Sequence, residues 1–170
     1  MKLKNSEKGV TLISLVITIV VLLIIAGITI NVGTKTIKQT KLEELKTNML
    51  LIEAKAKEYV EEATFKMGIN PDDTKKEEVR GQVYGKDSEE GAQLEKATTV
   101  PTEFGISDTS TCYWLTTEAK QKWGLDKMES DENEYLIKFN EIDVTVEVYI
   151  SEGYNGKYSL TEIEQVELED

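Results

Sequence analysis

Hydrophobic positions along the chain follow three regimes, and the first is unbroken. Residues 10–30 are apolar except for the hydroxyls Thr11, Ser14, Thr18 and Thr29, and no charged side chain intervenes between Lys8 and Lys35. As a helix this run is about 32 Å long, close to the ~30 Å hydrocarbon core of a bilayer. A secretory signal peptide carries a shorter apolar region, about 7 to 15 residues, followed by a small-x-small cleavage site. Ile24-Ile25-Ala26 is a poor site of that kind. The pattern therefore predicts a membrane-spanning helix over 10–34. Its flanking lysines do not set an orientation, because Lys2, Lys4 and Lys8 on one side nearly balance Lys35, Lys38, Lys41 and Lys46 on the other.

The second regime has helical period. Leu42, Leu45, Met49, Ile52, Ala56, Tyr59 and Ala63 recur at spacings of three and four, with Glu and Lys filling the remaining positions. This predicts an amphipathic helix over 35–64 that packs its stripe on its own domain rather than in a coiled coil. No proline interrupts 10–64, so the two stretches can form one helix of about 80 Å. Its weak point is Gly27-Ile28-Thr29-Ile30-Asn31-Val32-Gly33-Thr34, where glycines and β-branched residues are poor helix formers.

The third regime alternates. Tyr135, Ile137 and Phe139 alternate with polar positions except at Leu136, and Val144, Val146, Val148 and Ile150 alternate with Asp143, Thr145, Glu147 and Tyr149. Two strands with one buried face follow, joined by a turn at 140–143 and continued through a turn at 153–156 into a third strand at 157–160. Before them, 117–123 reads as a short helix capped by Thr116 or Thr117 and closed by Gly124. The polar stretch 65–111 holds both prolines, Pro71 and Pro101, with short helices expected near 72–80 and 88–97. The acidic end 162–170 has no pattern that assigns it an element. The expected fold is α+β: a long N-terminal spine helix, half membrane and half amphipathic, packed on a small C-terminal antiparallel sheet. Its segments are 1–9, 10–34, 35–64, the variable polar region 65–111, and the β-meander with its short helix at 112–170.

Charge and composition narrow the function. Behind the basic first nine residues, 17 basic face 31 acidic side chains, so the globular part repels phosphates and no nucleic acid is expected as its partner. Cys112 is the single cysteine, which excludes an intramolecular disulfide but leaves a thiol that can pair between chains. The chain has no histidine, and with it go His-based triads, general bases and metal ligands. The acidic pairs Asp72-Asp73, Glu89-Glu90 and Asp131-Glu132 lack the alternating ligands and turn glycine of a calcium loop and read as solvated surface. No phosphate-binding loop or nucleophile elbow is present, and neither cofactor nor catalytic residue is expected.

At Lys8-Gly9-Val10-Thr11-Leu12-Ile13-Ser14-Leu15-Val16-Ile17 the chain resembles the processing site shared by type IV pilins and type II secretion pseudopilins. That pattern is a basic leader ending in glycine, a hydrophobic first mature residue, Thr-Leu-Ile-Glu-Leu and a long apolar helix. The resemblance covers about the first 30 residues. It implies that a prepilin peptidase cuts after Gly9, freeing Val10 as a methylated N-terminus, and that Thr11, Leu12, Ile13, Ser14 and Leu15 belong to the assembly segment. Ser14 stands where the family has glutamate, and Val10 where phenylalanine is commoner. A carboxylate there is thought to pair with the amine of a neighbouring subunit, whereas serine offers only a neutral hydrogen bond. The departure points to a minor or tip subunit, or to a lineage that assembles without that pair.

The resemblance also implies partners and place. The partners are the peptidase, other pilin subunits, an inner-membrane assembly platform and the lipid bilayer. The chain would lie first in the cell membrane as a single-pass protein with its head outside the cytoplasm, then in an extracellular or periplasmic filament. A membrane-anchored extracellular binding domain that does not polymerise is the competing reading. The mature N-terminus separates the two, since only a filament subunit loses residues 1–9.

Overall fold

A computed structural model describes residues 7–126, 128 and 133–166, and divides the chain into two compact units, Met1–Glu43 and Glu44–Asp170. Helix α1 runs from Glu7 to Met67. In the first unit its backbone stays helical through the glycine and β-branched stretch 27–34, because a helix satisfies its own hydrogen bonds whatever surrounds it. Side chains are described there at only a few positions, among them Leu15, Ile17, Ile19, Val20 and Leu22, all exposed.

The second unit is α+β. The amphipathic stripe of α1 is present, with Met49, Ile52, Ala56, Val60 and Ala63 fully buried and Leu45 nearly so. One position differs from expectation: Val60 takes the core place and Tyr59 is only half-buried. Tyr59 instead stacks on Trp123, ring centroids 5.4 Å apart, where a broad ring can shed water from one face and keep its hydroxyl near the surface.

Helix α2, Asp73–Val83, falls where a short helix is expected. Asp72 caps it, its carboxylate accepting from the Lys75 amide at 2.8 Å. The helix expected near 88–97 does not form. Its backbone is committed elsewhere: the Ala92 amide donates to the Val83 carbonyl at 2.7 Å and the Leu94 amide to that of Tyr84 at 2.9 Å. Gly91 makes this return possible, since a Cβ there would lie 2.6 Å from the Gln82 carbonyl oxygen. Lys122 then donates to the carbonyls of Glu89 and Gly91, both at 2.6 Å.

Five strands follow in sequence order across one antiparallel sheet: β1 Glu95–Lys96, β2 Cys112–Trp114, β3 Tyr135–Asn140, β4 Thr145–Tyr154 and β5 Lys157–Ser159. The expected three-stranded meander is thus extended by two short strands beside β3. Short helix α3, Thr117–Lys122, is capped by the Thr116 hydroxyl, and Gly124 closes it at φ 71°. Asn140 makes the β3–β4 turn by accepting from the amides of Ile142 and Asp143 at 3.2 Å. Val144, expected in the strand, is a turn residue at φ 52°. Asn155 and Gly156, at φ 51° and 74°, form the two-residue loop that carries β4 into β5.

Register places Tyr113, Ile137 and Val148 side by side, flanked by Tyr135 with Ile150 and Phe139 with Val146. All seven are buried. Tyr84, just after α2, stacks on Phe139 at 3.9 Å with Tyr113 edge-on at 5.3 Å. On the opposite face Cys112, Leu136 and Tyr149 are covered by Ala97 and Phe104. Phe104 stacks on Tyr149 at 5.2 Å. The acidic end also acquires an element, α4 at Leu160–Glu164, which ends the third strand one residue early. Ser159 and Glu162 form a reciprocal cap at its start, and Lys46 of α1 donates to the carbonyls of Glu164 and Val166 at its end, 3.3 Å each.

Candidate functional site

The residues singled out by sequence lie together in the first turns of α1. Gly9, Val10, Thr11, Leu12, Ile13, Ser14 and Leu15 are all helical in backbone. Of their side chains only that of Leu15 is described, and it is 60 % exposed. The leader lysines Lys2 and Lys4 lie outside the described residues. Gly9 is in the opening turn, where the first four N–H groups have no intrahelical acceptor and unwinding costs little. Leu15, Ile17, Ile19, Val20 and Leu22 each expose about half or more of their surface. Exposed large apolar side chains in one helical segment are a feature of surfaces that meet lipid or another protein.

Among the described residues no helix is long and apolar enough to cross a membrane. Most side chains of the apolar run 10–30, on which the membrane expectation rests, lie outside those described.

The globular unit carries a network of paired charges around Arg80. Arg80 binds Glu141 through two parallel bonds, Nε to Oε1 at 2.9 Å and Nη2 to Oε2 at 2.8 Å. It reaches Glu77 at 2.8 Å, and Glu77 accepts from Lys96 at 2.8 Å. The chain of contacts ties α2, the β3–β4 turn and β1 together. The bond from Lys96 holds the Glu77 carboxyl below its usual range against the cost of burial, with a lesser contribution from Arg80. Such a network is a structural staple, since each cation is met by a carboxylate. Sequence gave no sign of it, because Arg80 and Glu141 are 61 residues apart.

A cleft of about 510 Å³ opens beside α3, lined by Trp114, Thr117, Glu118 and Lys86. Hydrogen bonds from its own amide and from Thr116 lower the Glu118 pKa, so its carboxyl is no proton donor near neutrality. Among the described residues no three His, Cys, Asp or Glu side chains gather at metal-binding distance. Of the acidic pairs, Asp72 caps α2 and Asp73 pairs with Lys76 at 3.2 Å, while Asp131 and Glu132 lie outside the described residues.

Cys112 is buried in the second core, and burial pushes its thiol up to about 11. Burial likewise raises Tyr84, Tyr113 and Tyr149. A disulfide between chains therefore requires the head to open first. The same shifts fix a pH dependence. All four groups are neutral when protonated and ionise in the unfolded chain at about 9 for the thiol and about 10 for the phenols. The stability they lend is complete below pH 9 and is lost as pH rises beyond it. Denaturation midpoints between neutral pH and pH 11 are expected to fall steadily above pH 9, and iodoacetamide at neutral pH to modify Cys112 only as fast as the head unfolds. A flat profile with rapid labelling would place the thiol at the surface.

No family model, curated protein or solved structure matches this chain.

Proposed function

We propose that the chain is a subunit of a type IV pilus or of a type II secretion-like pseudopilus, cut after Gly9 and assembled through its apolar N-terminal helix. One observation carries this reading: the Lys8-Gly9-Val10-Thr11-Leu12-Ile13 motif opens directly into an apolar helix whose described residues Leu15, Ile17, Ile19, Val20 and Leu22 are exposed. An apolar helical surface needs lipid first and sister helices later, and a filament built in a membrane supplies both. The α+β head, with its buried helical stripe and antiparallel meander, supports the same reading.

Membrane insertion, the outward head and the passage into a filament belong to this proposal, as do the peptidase, the assembly platform and partner pilins. Ser14 favours a minor or tip place, because a Val10 amine buried without a carboxylate in every subunit would cost several kcal/mol. Mass spectrometry of the chain from cells that carry the processing machinery tests the reading. The expected N-terminus is Val10, methylated. A chain that keeps residues 1–9 would be an anchored domain instead.

A further inference from the structure

Charge along the helix is sharply divided just beyond the apolar run. Lys35, Lys38 and Lys41 follow Ile30 within eleven residues, and no acidic residue occurs between Glu7 and Glu43. The side chains of Lys38 and Lys41 are exposed, and neither takes part in an ion pair among the described residues. From Glu43 onward the sign reverses, with 14 basic against 31 acidic residues. Placed on the outer side of a membrane, such lysines run against the usual preference for positive charge inside.

We infer that Lys35, Lys38 and Lys41 form a collar that binds the anionic headgroups of the lipid leaflet from which the head emerges. This rests on the membrane-anchored reading proposed above. Spacing names the occupant. At 1.5 Å per residue the three Cα atoms stand about 8, 12 and 16 Å beyond Ile30, and the headgroup layer is about 5 to 7 Å deep. Helical side chains lean toward the N-terminus, here toward the bilayer, and a lysine reaches about 6 Å, so an amine at position 35 or 38 can enter or border that layer, while one at position 41 stops about 3 to 5 Å short of it, within the ~10 Å Debye length at 0.1 M salt. Residues 43–170 carry the opposite sign and are repelled by the same surface. The collar thus holds the helix at a fixed depth, and its contacts must break when a subunit leaves the membrane for a filament.

The test uses the full chain reconstituted in vesicles, with amine acetylation followed by mass spectrometry at each lysine. Two compositions are compared, pure phosphatidylcholine and the same lipid with about one-third phosphatidylglycerol. Lys38 and Lys41 are expected to react about fivefold more slowly on the anionic vesicles, as a lysine attracted to such a surface should. Molar salt, where the Debye length is about 3 Å, should restore the rate. Lys75 and Lys86 serve as internal references and should not change. Equal rates on both vesicles, or a uniform slowing of every lysine, overturn the collar while leaving the anchor intact. A chain stripped from both vesicles by alkaline wash overturns the anchor and the collar together.

Discussion

Gly9→Leu is expected to leave the precursor uncut, with the fraction of chains beginning at Val10 falling by about a hundredfold or more. On the proposed processing, the cut bond would follow a residue with no side chain. A peptidase subsite shaped for a hydrogen atom must shift its own backbone to accept a leucine, and displacing the scissile bond by about 1 Å costs two orders of magnitude. Gly9→Ala, with one methyl, should fall between the two. The helix does not protect the bond, since Gly9 lies in the opening turn of α1. Head stability should be unchanged in both variants, which separates a processing defect from a folding one. Mass spectrometry of N-termini reads the result, and a full yield of Val10 ends from Gly9→Leu would move the cut elsewhere.

Phe139→Ala should lower the stability of the head by about 3 to 5 kcal/mol, enough to unfold many small domains. Phe139 is 1 % exposed and lies between two tyrosines, stacked on Tyr84 at 3.9 Å and edge-on to Tyr113 at 5.9 Å. Removing the ring empties a space walled by β2, β3 and the end of α2, and strands paired on either side cannot close in to fill it. It also strips two neighbours whose phenols burial has already raised. Denaturant unfolding followed through Trp114 and Trp123 fluorescence measures the loss. A drop below about 1 kcal/mol would mean that this corner relaxes far more readily than a close-packed core should. Processing at Gly9 should survive the substitution, since the opening turn of α1 belongs to the other unit.

What the sequence made legible was periodic. The α1 stripe and strands β3 and β4 bury residues at intervals of about 3.6 and 2, and those intervals are visible without knowing what lies opposite. The exceptions were informative only afterwards. Leu136 breaks the alternation of β3, and Tyr149 occupies an outward position of β4, because Phe104 closes a second core over that face. No local pattern announces a covering loop. Strands β1 and β2, two and three residues long, are too short for a period to register. The expected helix at 88–97 failed because Gly91 and Lys122 fix a backbone return that only tertiary contact creates. At the proposed processing segment the order was reversed: Gly9 and Val10 stand out by motif, and the fold adds only that they lie in the opening turn of α1.

The sheet runs β1, β2, β3, β4, β5 with no crossover, so each strand finds its partner in the strand just before it. A chain delivered progressively from its N-terminus can therefore close each pairing as soon as the next strand arrives, without waiting for a distant one. Such local topologies tend to fold quickly, and fewer strand edges stay open to wrong partners while the rest emerges. Other contacts reach further back: Arg80 waits for Glu141, and the amine of Lys46 for the carbonyls of Glu164 and Val166. Helix α4 is in this sense a closing stitch of the head, and a truncation before residue 164 would remove the carbonyls that Lys46 binds.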